Sequence, residues 1–342
     1  MEDVIERLKQ QRREGRKERI EPNSDSLIRT ALRKERQAVS GAPVVPVIRQ
    51  TLQADPRTNP VLYEKGNVVS VNNAYGDSVK LVKEKLRKDS LRVHDALVQV
   101  KKGDILVVKG TYDSIEEILD SSKIPYKVSI SEKDIAGAQV IFVNCSGSYK
   151  NKPVSHLKKF VENGGYLVST DWALHNLVES MFDNIKYSGN NTNNEVVDVT
   201  VPDPDNFYVK NAFPKGIRPA WWLETASHCI ETKSKDAKVL IRSDELAEKY
   251  GSDIIGVTFR HGKGRVFHFI SHFKLQQSKE YLDPSKQNSV NFAKDILDFN
   301  DQEINRLGIN KQQQYAAVET AYTSAMIIHN IIAAKKMGYN GD

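Results

Sequence analysis

Short apolar runs that alternate with helix-period segments, beginning near residue 103, restrict this chain more than any other feature. "DILVVKG" (104–110), "AQVIFVNCSG" (138–147) and "YLVST" (166–170) are near-continuous apolar runs. Between them, "TYDSIEEILDSS" places Ile115, Ile118 and Leu119 on one helical face. "VSHLKKFVENGG" turns Val154, Leu157, Phe160 and Val161 inward before Gly164 and Gly165 end the helix. A strand that is apolar on both sides must be covered on both sides, as in parallel sheets whose crossover helices pack on each face. Such crossovers are right-handed, so the order predicts an α/β fold, a doubly wound and mostly parallel sheet with helices on both faces. "IPYKVSIS" and "AKVLIRSD" add strands, and "DIIGVTFRHGKGRVFHFISH" reads as a hairpin around Gly262-Lys263-Gly264. The Asn-, Asp- and Pro-rich stretch "NIKYSGNNTNNEVVDVTVPDPDNFYV" reads as a β-rich insertion.

This core, 103–300, belongs to a domain over 67–300 that opens with a short strand, "NVVSVN", and a helix over 75–100. Helical extensions flank it. Residues 1–40 are highly charged, and residues 41–66, with prolines at 43, 46, 56 and 60, read as a linker or surface strap. Arg12, Arg13, Arg16 and Lys17 offer a basic contact for nucleic acid or an acidic protein, against the plainer reading of a solvated helix. The segment 301–342 carries a last helix over 311–337. Its apolar face, with Tyr315, Val318, Tyr322, Ile328 and Ile332, is too wide for a solvated helix and predicts an interface with the domain's sheet or a partner subunit. The longest apolar stretch, "AMIIHNIIAA", is about half the ~20 residues a membrane span requires. The first residues, "MEDVIERLKQQRREGRK", lack the apolar segment of a secretory signal. Two cysteines give no disulfide framework, and the net charge of +6 permits acidic partners without demanding them. A soluble, cytoplasmic protein is the expectation.

Four stretches, "DILVVKGTYDSIEEILDSSKIPYKVS", "AQVIFVNCSG", "LKKFVENGGYLVSTDWAL" and "GKGRVFHFISHF", lie in order within residues 104 to about 299, a little over half the chain. In order and texture they resemble the class I glutamine-amidotransferase-like superfamily, above all its nucleophile-lacking ThuA-like and GIFT-type members. In the catalytic branch a cysteine stands at the sharp corner after the "GGYL"-like strand, where a strained turn exposes the thiol and a helix N-terminus lowers its pKa. A histidine after a later strand takes its proton. By position, the resemblance puts that corner at Thr170-Asp171-Trp172 and the histidine at His272. The nucleophile is absent. An aspartate beside a histidine can still activate water or hold a metal. The simpler role for Asp171 is to cap the helix "WALHNLVESMF".

Cys145 in "NCSG" lacks the immediate helix that a nucleophile elbow needs, since the next helix starts at Val154, and it reads as a small core residue. The eight histidines show no metal-ligand spacing; His268 and His272 on a strand would lie about 13 Å apart. No metal and no cofactor are therefore expected. Trp221 and Trp222 read as a lid over the sheet's carboxyl edge or as a stacking surface for a ring or sugar. The expected pocket comprises Asp171, Trp172, Trp221, Trp222 and His272. The leading functional expectation is a non-catalytic binding or scaffold module in a larger assembly, with a protein partner or a homo-oligomer. The alternatives are a hydrolase acting on a small sugar or amide through Asp171 and His272, and a nucleic-acid-associated protein using the basic N-terminus.

Overall fold

Residues 68–147, 154–280, 286–339 and 341 are described by a computed structural model. The basic cluster Arg12, Arg13, Arg16 and Lys17 and the strap over 41–66 lie outside the described residues. A short strand, β1 (Val68–Ser70), leads into helices α1 (Tyr75–Asp89) and α2 (Leu91–Val98). The single helix expected over 75–100 is thus broken at Ser90, whose φ of −149° and ψ of 58° are not helical. Then come β2 (Ile105–Val108), α3 (Ile115–Ser121), β3 (Lys127–Val128), α4 (Glu132–Gly137), β4 (Val140–Val143), α5 (Val154–Glu162) and β5 (Tyr166–Thr170). A π-helical turn, Leu174–Val178, and α6 (Glu179–Met181) follow β5.

The insertion consists of two ribbons, β6 (Ile185–Asn191) paired with β9 (His228–Thr232) and β7 (Glu195–Asp198) paired with β8 (Ala220–Leu223). The chain returns through β10 (Lys238–Arg242), α7 (Asp244–Tyr250) and the hairpin β11 (Ile254–His261) and β12 (Gly264–Phe269). β13 (Gln277–Lys279) pairs with β1. Helix α8 (Ser289–Asn291) runs into a π-helical turn at Phe292–Ile296, and α9 (Asp301–Leu307) and α10 (Tyr315–Lys336) complete the described chain.

Seven strands form one sheet in the order β10-β11-β12-β5-β4-β2-β3. The five from β12 to β3 are parallel, and β11 runs antiparallel to both of its neighbours at the other edge. Every residue of β2, β4, β5 and β12 is buried, as strands covered on both faces must be. The α/β architecture expected from the apolar runs is the one observed. The parallel strands bring their carboxyl ends to one edge. The register Val108↔Val143↔Ser169↔His268 sets four chain segments level there.

Helix α10 packs within its own domain. It is buried from Tyr315 to Ala334, polar residues included. It packs on α1 and α2 and also touches β1, β8, β13 and the Phe292–Ile296 turn. Trp221 Nε1 donates to Thr323 Oγ1 at 2.9 Å, and Ser78 Oγ donates to the Val318 carbonyl at 3.0 Å. Tyr315, Val318, Tyr322, Ile328 and Ile332 are each at most 4% exposed within this one chain. Of the two covers expected for this face, the chain's own domain supplies it, and these side chains are part of the domain's core. A helix apolar on all sides is a buried helix, and its wide apolar face has this cause. No helix among the described residues is long and apolar enough to cross a membrane.

Candidate functional site

The carboxyl ends of β2, β4, β5 and β12 supply Asp113, Cys145, Asp171 and His272. Cys145 lies two residues beyond Val143 and Asp171 two beyond Ser169, and Val143 pairs with Ser169, so the register brings them to one level. Asp171 has φ +47°, the left-handed conformation that a sharp strand-to-helix corner imposes and a non-glycine residue seldom adopts. Close approach around Cys145 requires glycine twice. A Cβ on Gly110 would lie 1.8 Å from the Cys145 carbonyl oxygen, and one on Gly147, at φ +62°, would lie 2.6 Å from Ala173.

Three buried side chains converge at the corner. Cys145 Sγ lies 3.5 Å from Asp171 Oδ2, as a thiol donor to the carboxylate. His272 Nε2 lies 3.4 Å from the same oxygen and 3.4 Å from Glu224 Oε2. The other carboxylate oxygen, Asp171 Oδ1, accepts the His228 backbone N–H at 3.0 Å. Neither ring nitrogen of His272 has a hydrogen bond of good geometry, although the residue is only 3% exposed. Asp171 and His272 do come together, as a shared site requires. The capping role expected for Asp171 is corrected: its carboxylate bonds the His228 amide and the Cys145 thiol and no amide of the following helix. The insertion, which supplies His228, claims the acceptor. Cys145 is buried as expected of a core residue, yet it also belongs to the site.

Asp113 organises the three arms from behind. Its Oδ2 accepts the Thr170 hydroxyl at 2.8 Å and the Phe273 amide at 2.9 Å, and its Oδ1 accepts the amides of Ser114 at 2.7 Å and Lys274 at 3.3 Å. Thr170 Oγ1 in turn accepts the Cys145 amide at 3.1 Å. One carboxylate thus fixes the residue before Asp171, the residue after His272 and the backbone of Cys145.

Electrostatics follow from this crowding. Burial pushes the Cys145 thiol far above its usual range, and the Asp171 charge pushes it further. Burial alone would lower His272, but the adjacent Asp171 carboxylate and the charges of Asp113 and Glu224 outweigh it and raise the imidazole. Burial and the charges of Asp171 and Asp113 raise Glu224 against the opposing pull of His272. Glu224 is the member of this group with solvent access, its side chain being 34% exposed.

Aromatic rings border the cluster. The Trp172 indole stacks on His228 with centroids 5.7 Å apart, donates to the Ala226 carbonyl at 2.7 Å and meets the edge of the exposed Tyr112. His228 stacks on Tyr187 at 4.3 Å. Trp222 presents its ring edge-on to His272 at 5.5 Å and donates to Asn194 Oδ1 at 2.7 Å. Trp221 packs toward α10 and shares with His272 a small cavity of about 10 Å³. Both tryptophans of β8 are at most 5% exposed, so the expected stacking surface is not at Trp221 or Trp222. The exposed aromatic rim is Tyr112 with the half-buried Trp172, Tyr187 and His228.

Sequence reasoning missed Asp113 and Glu224, and it placed Thr170 at the corner without its link to Asp113. A survey of polar residues just past each apolar run would have found Asp113 and Cys145 together. Glu224 comes from the insertion, where no period points to it.

No family model matches the sequence, and no curated protein matches it. Among solved structures, a glutamine amidotransferase from Thermotoga maritima is similar at a TM-score of 0.39 and 10% identity, over 68% of this chain and 97% of that one. A protein described as ThuA-like from Bacteroides uniformis reaches 0.37 at 14% identity, over 51% and 83%. A cytoplasmic protein from Salmonella typhimurium reaches 0.36 at 15% identity, over 50% of this chain and 88% of its own length.

Proposed function

We propose that this chain is a binding module without the covalent chemistry of the amidotransferase-like proteins it resembles, acting within a larger protein assembly. The observation that carries the reading is the corner itself. A nucleophile there would have to be exposed and ionisable. Asp171 is 2% exposed, and its carboxylate is engaged by the His228 amide and the Cys145 thiol. The cysteine next to it is buried and held in its protonated, unreactive form. The open part of the site, Glu224 with the Tyr112–Trp172–His228–Tyr187 rim, suits a non-covalently held ligand that presents a ring face and a hydrogen-bond donor.

The purified chain is expected to show no glutamine hydrolysis and no labelling of Cys145 by a thiol-reactive glutamine analogue, with Cys145→Ala leaving binding of its partner intact. Stoichiometric labelling of Cys145, or glutamine hydrolysis abolished by Cys145→Ala, would overturn the reading. The second reading, a hydrolase using Asp171 and His272, draws on their 3.4 Å approach. It requires a hydrolysis of a small sugar or amide substrate that Asp171→Asn removes while circular dichroism stays unchanged.

A further inference from the structure

We infer that Cys145, Asp171 and His272 form a binding site for a single divalent transition-metal ion of the zinc class, with the fourth position open and Glu224 beside His272 as an outer carboxylate. The donor atoms Cys145 Sγ, Asp171 Oδ2 and His272 Nε2 all lie within 4.8 Å of one another, and all three residues are buried. A tetrahedral ion with bonds of roughly 2.0 to 2.3 Å sets its ligand atoms roughly 3.3 to 3.6 Å apart. The Sγ–Oδ2 separation is 3.5 Å, and His272 Nε2 stands 3.4 Å from a carboxylate oxygen of Asp171 and 3.4 Å from one of Glu224. The Sγ–Oδ2 and Oδ2–Nε2 separations match two edges of such a tetrahedron.

A second observation points the same way. His272 Nε2 is buried, faces both carboxylates and has no hydrogen-bond partner of good geometry. A buried ring nitrogen without a hydrogen bond is costly in a protein interior, and a cation held between the three donors satisfies it in place of a proton. The mixed thiolate, imidazole and carboxylate set suits zinc or cobalt better than the hard, oxygen-seeking magnesium or calcium. On binding, the Cys145 thiol gives up its proton to solvent as the Cys145–metal bond forms, and the ion's charge offsets the buried thiolate and carboxylate. The ligands are held from behind. Asp113 fixes the amide after His272 and, through Thr170, the amide of Cys145, which makes it a positioning residue for two of the three donors. Such an ion is compatible with a binding module and with a water-activating hydrolase alike.

The test uses the full chain, stripped with a chelator and titrated with Co²⁺ as a spectroscopic stand-in for zinc. The expected result is one Co²⁺ per chain, with thiolate-to-cobalt charge-transfer absorption, tetrahedral visible bands and displacement by Zn²⁺. Cys145→Ser should lose the charge-transfer band, and His272→Ala should lose stoichiometric binding. Glu224→Gln, at a half-exposed position that leaves the core untouched, should weaken binding about 10-fold or more. Cys229→Ser should change nothing. Absence of the charge-transfer band in the parent chain overturns the inference. So does a band that disappears with Cys229 rather than Cys145, or an unchanged affinity in Glu224→Gln together with a folded His272→Ala that still binds.

Discussion

Exchange of Asp113 for alanine is expected to lower the stability of the domain by roughly 3 to 5 kcal/mol, since four donors lose their acceptor at once. The Thr170 hydroxyl and the Phe273 amide are buried, and alanine leaves both without the oxygen they now reach at 2.8 and 2.9 Å. The amides of Ser114 and Lys274 lie nearer to solvent and contribute less. Asp113→Asn retains one carbonyl oxygen but points an amide group at donors, so its loss should be smaller than that of alanine and still measurable. Denaturant titrations with unchanged slope and a lowered midpoint would record this as a stability change. A loss below about 1 kcal/mol in Asp113→Ala would mean that water replaces the carboxylate, and that Asp113 does not hold the three arms together.

Glu319 should make the fold weaken as the pH rises. This carboxyl sits inside α10, 2% exposed, and burial pushes it up to about 7, against the pull of the Arg218 backbone N–H at 3.1 Å and the charge of Lys286, with Asp198 adding to the rise. A folded-state pKa above the unfolded value of about 4.5 means that the folded state binds its proton more tightly. The contribution is therefore fully present below about pH 4.5 and is lost as the pH climbs through 7. Beyond that the loss levels off at roughly 3 kcal/mol. Glu319→Gln keeps an oxygen for the Arg218 amide and carries no charge. It should match the parent chain near pH 4.5 and exceed it by up to roughly 3 kcal/mol at pH 8. Parallel stability curves for the two proteins from pH 4.5 to 8 would contradict this account.

The parts of the fold that could be read from sequence are those whose pattern is local. β2, β4 and β5 announce themselves as runs buried on both faces, and α5 and the β11–β12 hairpin follow from a helical stripe and a glycine turn. The short helices α7 and α9 escaped because neither has a full apolar stripe, although their caps were visible. Ser243 accepts the Leu246 amide and Gly251 ends α7 in the left-handed conformation. Asn300 and Glu303 form a capping box at the start of α9. Helix α10 left two readings open for the opposite reason. Its apolar positions go almost all the way round, and in sequence a helix surrounded by its own domain looks like one awaiting a partner. At the site, Asp171 and His272 could be placed because each ends a recognisable strand. Their joining with Cys145 and Glu224 could not, since it depends on sheet order and on an insertion loop whose position no periodicity encodes.

The central position of α10 also sets the order of events during synthesis. Its partners α1 and α2 leave the ribosome more than 200 residues earlier, as the Ser78–Val318 bond across a separation of 240 residues makes plain. Until Tyr315–Lys336 emerges, the parts of α1, α2 and β8 that face it lack this cover, and exposed apolar surface of that kind is what chaperones bind. Contacts closed over so long a loop form slowly, so the docking of α10 against α1 and α2 falls late in folding.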